Sequence, residues 1–273
     1  MNLPRFTDLH SHLVPGVDDG SASVEESLES LAALRAEGVG ALVTTPHLLL
    51  PHLPDDAAIT AQLDRHRAAF EELAEAAYDR VDLPAIGLGQ EIWAPDAAHL
   101  RRVVDRTDVG LGRGRYLLVE FGFDLRGTHE DVVRTAAEAG RGIVVAHPER
   151  YRYLPGTDPI GQMRRWRELG ALLQVNAGSF NGHYRNQNPG AEALAWAMVG
   201  AGVVDLVATD HHGTRRVGVS PLEAFEALAG RGERELAERV LARAPSQVVR
   251  ADLVERDNEV FRSPGAAGSS RST

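Results

Sequence analysis

Phe6-Thr7-Asp8-Leu9-His10-Ser11-His12 runs from a short apolar stretch straight into two histidines one residue apart. Six more strand-sized apolar runs follow it: Ala41–Thr44, Ala85–Leu88, Tyr116–Val119, Ile143–Ala146, Ala171–Val175 and Val204–Ala208. Between them, apolar residues recur at three- and four-residue spacing. This predicts helices over Val24–Glu37, Asp55–Tyr78, Asp96–Arg106, His129–Ala139, Pro159–Leu169, Pro189–Gly200 and Pro221–Leu228. The first carries the clearest signals, Ser23 followed by Glu26 as a capping box and Gly38 as a stop. Strands alternating with helices imply parallel βαβ units, arranged as a closed or nearly closed (β/α) barrel or as an open doubly wound sheet.

The opening stretch separates these two, because its polar residues come directly after the apolar ones. In a (β/α) barrel the active site forms at the C-terminal ends of the strands. The other runs end in the same way, in Thr45-Pro46-His47, Gln90-Glu91, Glu120, His147, Asn176 and Asp210-His211-His212. Six of the eleven histidines lie at such ends, while His52, His66, His99, His129 and His183 fall in helices or loops. Residues two apart on a strand share a face, so His10 and His12 can address one cation, and Asp210 and His212 repeat the spacing. With Glu91, Glu120 and His147 on the same rim, a shared nitrogen and oxygen metal cluster is indicated. Without a cation, such a packed set would suffer mutual repulsion and desolvation.

Composition narrows the chemistry. The 273 residues include no Cys, and all 29 basic residues are Arg. This excludes a disulfide framework, a thiolate zinc site, a cysteine nucleophile, a Schiff-base or P-loop lysine, and a carboxylated lysine bridging two metals. The net charge of −10 weighs against a nucleic-acid partner. No apolar run approaches a membrane span, and the N-terminus has no signal-peptide pattern, so a cytoplasmic protein is expected. One domain over residues 1–262 is expected, followed by a disordered tail over Ser263–Thr273 (SPGAAGSSRST).

The residues Asp8-Leu9-His10-Ser11-His12, Asp18-Asp19-Gly20, Thr45-Pro46-His47, Glu91, Ala146-His147-Pro148-Glu149-Arg150-Tyr151 and Thr209-Asp210-His211-His212 resemble, in order and spacing, the polymerase and histidinol phosphatase superfamily. Within it, the chain is similar to the metal-dependent protein-tyrosine phosphatases encoded with bacterial capsular and exopolysaccharide genes. The resemblance implies a distorted seven-stranded (β/α) barrel holding three divalent metals, manganese above iron or zinc. His10, His12, Glu91 and Asp210 would ligate one ion. Glu91, Glu120 and His147 would ligate a second, and Asp19, His47 and His212 the third. A phosphotyrosine protein, in particular a bacterial tyrosine kinase, is the implied substrate.

Water acidified between two metals would supply a hydroxide nucleophile near neutral pH, and guanidinium forks would hold the phosphoryl oxygens. Arg150, three residues after His147, is the first candidate. The resemblance places a second arginine shortly after Asp210, where Arg215 and Arg216 compete and Arg216 is chosen. A phenolate leaving group, with pKa about 10, needs little protonation, and His211, the sole candidate acid, faces away from its neighbours by strand alternation. Asn176, Asn181, His183 and Arg185 stay outside the candidate set. Gly110-x-Gly112-x-Gly114 precedes a strand and reads as a turn, and Asp55-Asp56 as helix capping. A histidinol-phosphatase-like phosphoesterase and a catalytically inactive scaffold are the alternative functions. The oligomeric state is not legible.

Overall fold

The computed structural model describes residues 4–216 and 218–249. The expected tail, and the C-terminal end of the expected domain at residue 262, lie outside them. Every one of the seven apolar runs becomes strand, and two short strands that the runs did not include, His47–Leu49 and Glu91–Trp93, bring the number among the described residues to nine: β1 (Phe6–Asp8), β2 (Val39–Thr44), β3 (His47–Leu49), β4 (Ala85–Leu88), β5 (Glu91–Trp93), β6 (Tyr116–Glu120), β7 (Gly142–Ala146), β8 (Leu172–Asn176) and β9 (Leu206–Ala208). The helices are α1 (Val24–Ala36), α2 (Asp56–Ala76), α3 (Ala97–Arg101), α4 (Glu130–Glu138), α5 (Pro159–Glu168), α6 (Ala191–Gly200), α7 (Pro221–Gly230) and α8 (Arg234–Glu238). A π-helical turn, Arg239–Arg243, extends α8 beyond the last helix that periodicity predicts.

All strand pairs are parallel, in two sheets ordered β1-β2-β4 and β3-β5-β6-β7-β8-β9. A single continuous seven-stranded ladder is therefore not what forms. β2 stops at Thr45-Pro46, where proline offers no N–H to a ladder, and β4 stops opposite it at Gly89-Gln90. Two hydrogen bonds span the break, Gly89 N–H to Thr44 O (2.9 Å) and Glu91 N–H to Pro46 O (3.2 Å). β1 and β9 meet only past their ends, through a Ser11–His211 bridge in which His12 N–H donates to His211 O (2.7 Å) and Asp210 N–H to His10 O (2.8 Å).

Alternation along the strands fills both faces. Leu117, Val119, Ile143 and Val145 join the large core beneath the helices, whereas Leu118, Val144, Ala146, Leu206 and Val43 form a second cluster that Val248 and Val249 close off. Strands apolar on both faces need cover on both, which is why they read as unbroken apolar runs. At α1, Ser23 accepts from Glu26 N–H as predicted, but Glu26 turns its own carboxylate to Ala22 N–H (2.7 Å) and to Arg215. Gly38 follows that helix at φ +100°, a conformation glycine adopts without a Cβ clash. Asp55 caps α2, and the glycines at 110–114 form a tight turn.

Candidate metal centre

The ends of the strands converge on one buried cluster. His10 and His12 lie past the end of β1, so their shared direction comes from the Ser11–His211 bridge and not from strand alternation inside β1. Their Nε2 atoms stand 3.3 Å apart. His147 and Asp210, each just beyond a strand, take left-handed backbone conformations (φ +32° and +54°). Non-glycine residues rarely hold such conformations, which cost about 1–3 kcal/mol and concentrate at functional sites. Glu91 begins β5 at the ladder break and reaches four imidazoles: its Oε1 is 3.0 Å from His147 Nε2 and 3.3 Å from His10 Nε2, and its Oε2 is 2.7 Å from His47 Nδ1 and 3.5 Å from His12 Nε2. Asp210 Oδ1 lies 3.3 Å from His10 Nε2 and 3.2 Å from His12 Nε2. At the outer edge, Asp19 Oδ1 is 3.3 Å from His47 Nε2 and 3.6 Å from His212 Nε2.

The hydrogen bonds fix which imidazole nitrogens are free. His12 Nδ1–H donates to the Asp18 carboxylate (2.8 Å), His10 Nδ1–H to Gln174 Oε1 (3.0 Å), and His212 Nδ1–H to Asp210 O (2.7 Å). In the neutral rings that an ion requires, an acceptor on Nδ1 leaves Nε2 with a lone pair, so His10 and His12 would then direct two lone pairs into the same space, 3.3 Å apart. His47 Nδ1 and Glu91 Oε2 are likewise buried and close without the alignment of a hydrogen bond. This surplus of inward-facing nitrogen and oxygen lone pairs fits divalent cations. Among the described residues, four sets of donor atoms lie close enough for one ion: His12, Asp19, His47 and His212; His10, His147 and Asp210; His10, His12 and Glu91; and His47, Glu91 and Glu120.

The family described as capsular polysaccharide synthesis, CpsB/CapC, matches residues 6–250. The chain belongs to the CpsB/CapC family. The tyrosine-protein phosphatase YwqE of Bacillus subtilis is 27% identical over 263 residues, covering 94% of each chain. The tyrosine-protein phosphatase CpsB of Streptococcus pneumoniae is 29% identical over 172 residues, 62% of this chain and 67% of CpsB. A chain from the crystal structures of YwqE and CpsB, described as unique metal-dependent tyrosine phosphatases, superposes with a TM-score of 0.74 at 24% identity, covering 89% of this chain and 94% of that one. An N-isopropylammelide isopropylaminohydrolase from Burkholderia multivorans shares the fold more distantly, with a TM-score of 0.57 at 16% identity over 92% of this chain and 75% of its own.

Burial opposes charge throughout the CpsB/CapC cluster, and neighbours decide the outcome. Despite burial, the carboxylates Asp18 and Asp210 raise His12 to about 9, and Glu91 and Asp19 raise His47 to about 11. Glu91 and Asp210 stay ionised far below the usual carboxylate range, held there chiefly by His10 against the cost of burial. Glu120 goes the other way, pushed up to about 8 by burial and then by Glu91. Of the predicted arginines, Arg150 donates from Nη1 to Asp210 Oδ2 (2.6 Å), with its guanidinium over the rings of Phe123 (5.1 Å) and Tyr184 (4.3 Å). Arg216 donates to Asp19 Oδ2 (2.7 Å), whereas Arg215 is taken up by Glu26 and Gly20 O. His211 is buried outside the donor sets, and neither ring nitrogen has a hydrogen-bond partner among the described residues.

Sequence reasoning missed Asp18 and Gln174, which orient ligand-side imidazoles, and Asn176, whose amide donates to Asp210 Oδ2 (3.0 Å). Asp18 was visible as half of an acidic pair, but spacing does not assign roles within a pair. Gln174 was visible as the one polar residue in an apolar run.

Proposed function

We propose that this chain is a metal-dependent protein-tyrosine phosphatase, and that its substrate is a tyrosine kinase governing capsular or exopolysaccharide synthesis in the cytoplasm. The observation that carries it is the buried set of facing lone pairs at His10, His12 and Glu91, beside an arginine held over the same rim. The naming of YwqE, CpsB and the CapC of Staphylococcus aureus as tyrosine-protein phosphatases, the last a putative one, supports the substrate class. We read residues 1–262 as one domain, a distorted seven-stranded (β/α) barrel in which the β1–β9 seam is held by the Ser11–His211 bridge. Among the described residues, no helix is long and apolar enough to cross a membrane.

Three divalent ions, manganese in the first instance, would be held by His10, His12, Glu91 and Asp210, by Glu91, Glu120 and His147, and by Asp19, His47 and His212. Bound there, they would acidify water and neutralise phosphoryl oxygens. The rest falls to the chain. Asp210 commits one Arg150 nitrogen and the Tyr184 ring lies 4.3 Å from the guanidinium, so its remaining N–H groups can meet a phosphate with two parallel bonds. Arg216, tethered to Asp19, offers a second fork from the opposite edge. Glu120, driven toward its neutral form in the metal-free chain, would give up that proton on becoming a ligand.

Parallel kinetics on a phosphotyrosyl peptide and on histidinol phosphate, with metal stripped and restored, test the proposal. Metal-dependent turnover favouring phosphotyrosine is expected, and His10→Ala or Asp210→Asn should abolish it with the circular-dichroism spectrum retained. A preference for histidinol phosphate, or full activity after chelation and dialysis, would overturn it.

A further inference from the structure

A cleft of about 590 Å³ opens beside the metal centre. Its lining combines Asp19, His47 and Glu120 with the apolar Leu49, Trp93 and Phe123. The strand register sets Leu49 and Trp93 beyond His47 and Glu91, with Glu120 level with Trp93 on the next strand. His47 pairs with Glu91 and Leu49 with Trp93, so the apolar pair stands two residues further along parallel strands on the same face, about 7 Å past the first pair. Gly122, at φ +91°, turns the chain sharply between Glu120 and Phe123. A Cβ at Gly122 would stand 3.0 Å from Trp93 Nε1, so glycine here lets the indole lie against the backbone that presents Phe123. The Phe123 ring lies nearly parallel to His147 (5.7 Å between centroids, 9° between planes) and sits under the Arg150 guanidinium, yet 41% of the residue remains exposed. Two aromatic side chains thus border the cluster, Trp93 two residues beyond Glu91 and Phe123 against the His147 ring, the latter left partly open to solvent.

An aryl phosphate matches this lining. Its phosphoryl group belongs with the charged residues, and its ring, one ester oxygen away, belongs with the apolar ones. Resting on the proposed phosphotyrosine activity, we infer that Phe123, with Trp93 behind it, forms the wall against which the substrate's phenyl ring packs, and so selects aryl over alkyl phosphate esters. Ring-on-ring contact adds to simple area burial in a way that an aliphatic side chain of similar size does not reproduce.

The test compares kcat/KM for one peptide carrying phosphotyrosine or phosphoserine at the same position, in wild type, Phe123→Leu and Phe123→Ala, all manganese-loaded. The Ki of inorganic phosphate is measured in each, because it reports the charged residues and Arg150 alone. Wild type is expected to favour phosphotyrosine. The preference should fall about 3- to 10-fold in Phe123→Leu and further in Phe123→Ala, with the phosphate Ki within about threefold of wild type. If phosphotyrosine turnover persists with an unchanged preference, the selection by Phe123 is wrong and the phosphatase activity stands. If the Ki rises in step with the loss of activity, Phe123 serves only to hold Arg150, and the inference is likewise overturned. Wild type without phosphotyrosine turnover would remove both the activity and the wall.

Discussion

Asp18 holds three groups at once: it accepts from His12 Nδ1–H, from Gly20 N–H (3.0 Å) and from the backbone N–H of His47 (3.2 Å). Two predicted ligands therefore depend on a residue that need not touch an ion. Carboxylates that accept from a ligand imidazole fix its tautomer and raise its basicity, and losing one typically costs about 10- to 100-fold in metal affinity. Asp18→Asn, which keeps an acceptor oxygen but loses the charge, is expected at the lower end, and Asp18→Ala at the upper. Manganese titration of the stripped proteins checks this, and binding within about twofold of wild type in the alanine variant would contradict it. The same residues show what the sequence tells a reader at this scale. His10, His12, Asp210 and His212 stand out because a spacing of two after an apolar run has few other uses. Gln174 does not, because its partner His10 lies 164 residues away and only the assembled strand order brings the two together.

Among the elements, α2 is attached where the ladder breaks. Its His66, wholly buried, donates from Nδ1 to Gln90 Oε1 (2.7 Å), and Gln90 fills the gap between β4 and β5 immediately before Glu91. The helix thereby pins the point from which Glu91 reaches the cluster. His66→Leu keeps the apolar packing but leaves a buried amide without its partner, a loss of about 1–3 kcal/mol. Urea unfolding should show that loss at an unchanged slope, and a variant within about 0.5 kcal/mol of wild type would mean that the contact is dispensable. The runs and most helices were legible because burial on both faces and regular helical spacing leave strong local patterns. The ends of β2 and β4 were legible too, but the resumption of strand at His47–Leu49 and Glu91–Trp93 was not, since three residues are too few to carry a pattern of their own. α8 and its π turn escaped for a related reason. Their Arg- and Glu-rich sequence buries only a few residues, including Ala237, Val240 and Leu241, against a fold already formed.

For the molecule as a whole, the cluster couples stability to pH, and the direction can be worked out. In the metal-free chain, His12 and His47 are raised to about 9 and about 11. Protonation of each favours the folded state, fully so below the ordinary histidine value of about 6.5, and that contribution is lost as pH rises through the folded values. Glu120, raised to about 8, acts in the same direction: between its ordinary value, about 4.3, and 8 the folded state keeps a proton that the unfolded state has released. His211 and His212, both lowered to about 4 chiefly by burial, are neutral on both sides of the transition above about 6.5 and contribute no slope there. The melting temperature of stripped protein should therefore fall between pH 6.5 and 8.5. An ion needs neutral imidazoles and ionised carboxylates, so its affinity rises over the same interval as those protons leave. The gap between loaded and stripped protein should accordingly widen by several degrees, read from thermal melts with and without manganese at the two pH values. Glu120→Gln, which removes one of the titrating groups, should flatten the descent of the stripped protein. A stripped protein whose melting temperature holds or rises across this range would show that the inward-facing imidazoles are not held by protons when the metal is gone.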